Sequence, residues 1–188
     1  MESVAALTEA LNKAGIETQK WIHPNRTVAD LFEELVQNEC VLDLTARTRT
    51  IRTLCLDVFA RSDENFYRLY ESSQVFDSKF RPIRRLRKKS AVTEKLRLDE
   101  APDDDAVLRA LGEELQIAHF HKRIFTNVEK YSHRFGYPGL TTHNTLYHFR
   151  VSLRDQDFKA AGYQEKTHDR TIYFTWQLHK AKKQIHYN

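Results

Sequence analysis

The hydrophobic residues change period twice along this chain, and those changes set its fold class. Before Thr48 the spacing is helical. Val4, Leu7, Leu11 and Ala14 form one stripe that stops at Gly15, and Val28, Leu31, Phe32, Leu35 and Val36 form a second, capped by Thr27 and running to about Asn38. From Thr48 the residues become β-rich. Ile51, Leu54, Leu56, Val58 and Phe59 lead to a polar turn at Arg61-Ser62-Asp63-Glu64-Asn65, after which Phe66, Tyr67, Leu69 and Tyr70 resume, as in a hairpin. The polar and basic residues 77–90 read as a loop and Val92 to Leu98 as a short strand. Pro102, at a position suited to a first helical turn, and Asp103-Asp104-Asp105 then open the strongest helix of the sequence, with Ala106, Val107, Ala110, Leu111 and Leu115 as its buried stripe. Residues 117–128, 144–153 and Thr171 to Leu178 read as strands, the first two separated by Gly136-Tyr137-Pro138-Gly139, and a basic tail with Lys180, Lys182 and Lys183 reads as a frayed end. Strands around one helix without βαβ alternation predict an α+β fold with a mixed sheet: a helical N-terminal appendage over 1–45 and one domain over 46–188.

At 188 residues and 22.2 kDa the chain has room for one good core and an appendage. A mean hydropathy of −0.65 leaves no stretch suited to a bilayer, so no membrane association is expected. Five glycines and four prolines exclude low-complexity and collagen-like classes, and no glycine-rich phosphate loop is present. The two cysteines, Cys40 and Cys55, stand among apolar neighbours and read as small buried hydrophobes; with an N-terminus lacking a basic or apolar leader, this points to a reducing, cytoplasmic setting. Nine histidines include His119-Phe120-His121, yet no zinc-binding spacing occurs. Thirty Lys and Arg against 26 Asp and Glu give a net charge of +4, which favours phosphate-bearing partners. The excess is concentrated in Arg81-Pro82-Ile83-Arg84-Arg85-Leu86-Arg87-Lys88-Lys89, where arginine suits two-point contact with a nucleotide or RNA backbone and Phe76 and Phe80 are near enough in sequence to stack a base.

The chemistry concentrates in residues 93–117. Glu113 and Glu114 are adjacent carboxylates, and Arg109 stands one helical turn before Glu113, placed to orient it. Mg²⁺ takes one or two protein carboxylates and leaves its other positions to water and substrate phosphates. The segment resembles the Nudix box, G-x5-E-x7-R-E-U-x-E-E-x-G-U with U aliphatic. Arg109, Leu111, Glu113, Glu114 and Ile117 stand at the box positions, and Glu100 resembles the earlier glutamate although eight residues separate it from Arg109. Glu94 stands at the first glycine, Ala110 replaces the glutamate after the arginine, and Gln116 replaces the second glycine.

The resemblance covers roughly residues 48–178 and implies a Nudix-like α/β/α sandwich. It implies a phosphohydrolase acting on a nucleoside diphosphate-linked substrate, with Mg²⁺ or Mn²⁺ on Glu113 and Glu114 and with Arg109 orienting them. An acidic residue outside the box completes many such sites; Glu94, Glu71 and Glu165 are the candidates, and Glu94 is placed with the catalytic set. Arg81, Arg84, Arg85, Arg87 and Lys95 are the expected substrate-binding residues. The alternatives are a catalytically degenerate module that binds nucleotide or RNA, and an interaction domain that docks a protein through the N-terminal helices.

Overall fold

A computed structural model describes residues 2–21, 26–76, 92–134, 136–167 and 170–179, together with the backbone of 83–90. It bears out the α+β expectation, with three α-helices and a nine-stranded sheet among the described residues.

The first helix, α1 (Val4–Lys13), begins where the Ser3 hydroxyl accepts the Ala6 amide at 3.2 Å, and it buries Leu7 and Leu11. In α2 (Val28–Val36) the Asp30 amide donates to the Thr27 hydroxyl at 3.2 Å while the Thr27 amide donates to the Asp30 carboxylate at 2.7 Å, a reciprocal cap. The third helix, α3 (Asp104–Leu115), is capped by the Asp103 carboxylate, which accepts from Asp105 and Ala106. Pro102 therefore precedes the cap instead of occupying the first turn. All five residues of the expected apolar stripe on α3 are buried.

The strands are β1 (Cys40–Asp43), β2 (Thr48–Ser62), β3 (Asn65–Phe76), β4 (Ile83–Ser90), β5 (Val92–Leu96), β6 (Lys122–His133), β7 (Thr141–Ser152), β8 (Tyr163–Lys166) and β9 (Arg170–Leu178). Their order is β6-β7-β2-β3-β9-β8, with β1 and β5 also on β2 and β4 also on β3. The β2–β3 hairpin turns at Asp63-Glu64, where Asp63 takes φ 53°, and it pairs Ser62 with Asn65 and Phe59 with Arg68.

Two expectations need correction. The basic run is not a loop: Ile83–Ser90 is a strand, because β3 presents a ladder of backbone groups that it can satisfy, and charged side chains do not prevent strand pairing at the margin of a sheet. Residues 117–121 are not strand, because the Ile117 amide donates back to Leu111 at 3.1 Å and closes α3; the strand starts at Lys122. The short strand β8, Tyr163-Gln164-Glu165-Lys166, is too polar to announce itself, and β1, Cys40-Val41-Leu42-Asp43, is too short for a period of two to show. Asp77, Phe80, Arg81 and the tail from Lys180 lie outside the described residues.

Backbone contacts divide the chain into two units: Met1–Leu54 with Glu94–Pro102 and Asn127–Tyr147, and Cys55–Thr93 with Asp103–Thr126 and His148–Asn188. The first has a core of residues such as Leu7, Leu11, Leu31, Ile51 and Tyr137; there the Trp21 indole donates to the Pro138 carbonyl at 2.8 Å and stacks tilted on Tyr137 at 4.9 Å. In the second, β4, β3, β9 and β8 lie side by side and α3 packs against β8. Gly162 opens β8 at φ 82°, and any side chain there would strike the Phe174 carbonyl.

Candidate functional site

The box helix places Arg109 and Glu113 on one side, one turn apart, and Arg109 Nη1 donates to Glu113 Oε2 at 2.8 Å. The Arg109 side chain is 20% exposed and that of Glu113 is 53% exposed, so this pair faces water on one flank. Glu114 beside it is half-buried. Ala110, standing where the box has a glutamate, is a methyl group with no exposure at all. At the far end Gln116 takes φ 57°, the left-handed backbone that the box serves with glycine. Arg123 Nε pairs with Asp104 at 2.5 Å near the start of the helix.

Mg²⁺ prefers near-octahedral oxygen ligation. Among the described residues no group of three or more His, Cys, Asp or Glu side chains is placed to hold a metal, Glu113 is turned to Arg109, and the position one turn back is Ala110.

The same unit gathers polar groups on one face of the sheet. Across β3, β9 and β8 the register aligns Glu71 with Phe174 and Tyr163, then Gln74 with Ile172 and Glu165, and it aligns Phe76 with Arg170 on β9. Residues opposite one another on neighbouring strands share a face. Two of the acidic residues singled out from the sequence, Glu71 and Glu165, are therefore on the same side of the same strands. Backbone pairing also sets Arg84 opposite Val75 and Arg85 opposite Gln74, which brings the basic run alongside β3. Near the end of α3 a cleft of about 520 Å³ is lined by Gln116, Lys159, Tyr163, Gln164, Lys166 and Tyr173 among others. Tyr163 is buried with its hydroxyl donated to the Asp157 carbonyl, and burial pushes its pKa up to about 12, so it stays neutral. Gln74 and Arg170 carry no motif and were not visible in the sequence; their signal is positional and needs the register.

Glu94 and Lys95 lie on β5 within the first unit, both half-buried. Lys95 donates to Glu39 at 2.6 Å and lies 3.1 Å from Glu34. Burial lowers its pKa, but the two carboxylates outweigh burial and hold it above the ordinary lysine value. Glu34 itself is 6% exposed and is met by Arg49 Nε at 2.7 Å and Nη2 at 2.6 Å, with the Tyr137 hydroxyl at 3.4 Å. Burial, followed by the Glu34 charge, drives the Tyr137 pKa upward; the same two causes raise Cys40 to about 11. Both cysteines are buried and free. This network closes on itself and leaves Lys95 with two carboxylate partners.

No family model and no curated protein matches the sequence. Among solved structures, the chain is similar to the Ap4A hydrolase of C. elegans, at 10% identity and a TM-score of 0.33 over 69% of this chain and 80% of that one. It is similar to the NUDIX domain of Shewanella oneidensis NrtR complexed with ADP ribose, at 15% identity and 0.40 over 78% and 82%. It is also similar to T. brucei MERS1 in a complex with RNA, at 13% identity and 0.30 over 79% and 57%. Overlaps this partial leave function to the residues. Among the described residues no helix is long and apolar enough to cross a membrane.

Proposed function

We propose that this protein is a Nudix-like module that binds a nucleoside diphosphate-linked ligand without hydrolysing it, with Arg85, which the register sets on the same face as Gln74, gripping the phosphates. One observation carries the reading: the basic run is paired as a strand to β3, in the same unit as the box helix and beside the polar face built from Glu71, Gln74 and Glu165. Arginine suits two-point contact with phosphate. Ala110, which replaces the box glutamate, and the pairing of Glu113 with Arg109 support binding over catalysis, since together they take two carboxylates away from the place where the box gathers them.

Calorimetry of the full chain with a nucleoside diphosphate sugar, with and without Mg²⁺ or Mn²⁺, tests this alongside chromatography of the mixture. The expected result is saturable binding, intact ligand, and a loss of roughly tenfold in affinity for Arg85→Ala, the effect of about one charged hydrogen bond, with Arg84→Ala, on the other face, far less affected. Cation-dependent cleavage that Glu114→Gln abolishes would make it a hydrolase instead. Binding confined to a single-stranded RNA oligonucleotide, or none at all, would also overturn the proposal.

A further inference from the structure

The face shared by β3, β9 and β8 holds two buried polar atoms that the fold leaves unanswered, beside a buried amide. Gln74, 5% exposed, lies in the same row as Glu165. Glu165 Oε2 and Arg170 Nε are buried and have no hydrogen-bond partner among the described residues. Such groups are expensive to bury and are normally satisfied. Gln74 and Glu165 flank the buried Ile172 in one row of the register, and Arg170 stands one row along, opposite Phe76, whose ring lies 5.9 Å from the guanidinium. With strands about 4.8 Å apart, the three groups fall within the span of one small planar ligand.

The chemistry of the set narrows that ligand. A carboxylate accepts only, a guanidinium donates only, and an amide does both. A phosphate answers Arg170 but is repelled by Glu165, and a cation has the opposite difficulty. A neutral ring edge that presents N–H donors to Glu165 and an oxygen or ring nitrogen to Arg170 and Gln74 satisfies all three, while Phe76 supplies an aromatic surface. Guanine has this edge, with two adjacent N–H donors next to a carbonyl; adenine has no paired donors to offer a carboxylate.

We propose that Glu165, Arg170 and Gln74, with Phe76, form a nucleobase pocket selective for guanine over adenine. This rests on the preceding reading for the phosphates attached to the base, but the base contacts stand apart from it.

The test is calorimetry of the full chain with guanosine, GDP, adenosine, ADP and ribose 5-phosphate, together with the Glu165→Gln variant. GDP is expected to bind at least about tenfold more tightly than ADP, because a site built for hydrogen bonds rejects a ligand lacking them. Glu165→Gln is expected to erase that preference while ADP affinity stays the same. The variant should melt at the same or a higher temperature, since the Oε2 atom it replaces has no partner to lose; a clear drop would show that Glu165 holds the fold. GDP and ADP binding equally would overturn the pocket and leave the diphosphate reading intact. Guanosine binding as tightly as GDP would keep the pocket and overturn the phosphate grip, and no binding by any of these would remove both.

Discussion

Glu34 shows how much one buried side chain decides. It sits on the inward side of α2, three residues after the fully buried Leu31, and its carboxylate is held by Arg49, whose side chain is only 4% exposed. Removing one partner of a buried pair leaves the other charge desolvated, which typically costs about 3–5 kcal/mol. Glu34→Ala is therefore expected to lower the melting temperature far more than substitution of an exposed acid such as Glu9, and a thermal scan at neutral pH checks this. The sequence conceals the residue. An apolar stripe at Leu31, Leu35 and Val36 announces α2, but a glutamate in it reads as solvent-facing because its partners, Arg49 and Lys95, arrive from distant segments. For the same reason Lys95, which the box context marks as a substrate contact, meets Glu39 and Glu34 in the fold.

Among the elements, α3 was the most legible, because its cap, first-turn acids and stripe all obey local rules. Its end is where the local rules conflict. Gln116 occupies φ 57°, ψ 39°, and the Ile117 amide reaches back to Leu111 around it. A side chain strains this conformation and glycine does not, which gives the box glycine a backbone reason independent of catalysis. Gln116→Gly is expected to stabilise the protein by up to about 1 kcal/mol, read as a rise in the urea midpoint at unchanged slope; a fall would mean that the Gln116 side chain contributes contacts worth more than the strain. The strands were less legible. β4 was hidden because six cations in nine residues argue for solvent, whereas pairing depends on the open ladder of β3, which no window of the β4 sequence contains. The polar face has the same character: Gln74, Glu165 and Arg170 become neighbours only once the register of three strands is known.

For the molecule as a whole, alkaline pH separates the two units. Cys40, Lys95 and Tyr137 belong to the first unit and Tyr163 to the second, and all four hold their protons more tightly than they do in an open chain. A raised pKa adds stability that is complete below the unfolded value and disappears as pH climbs through the folded one, because the unfolded chain then binds fewer protons. Cys40 begins the loss. Its pKa moves from 9.0 to about 11, so roughly 2–3 kcal/mol is withdrawn across that interval, whereas Tyr163 moves from 10.0 to about 12 and starts later. The chain's two tryptophans report on the units separately: Trp21 is buried in the first and Trp176, whose indole donates to Lys159 at 2.9 Å, is in the second. In a pH titration from 8 to 12, carried out with Trp176→Phe to isolate Trp21 and with Trp21→Phe to isolate Trp176, the Trp21 fluorescence is expected to change at the lower pH. Adding Cys40→Ala should delay the Trp21 change and leave the Trp176 trace in place. Coincident traces would mean that the units lose structure together, with the thiol too small a contribution to release the first unit alone.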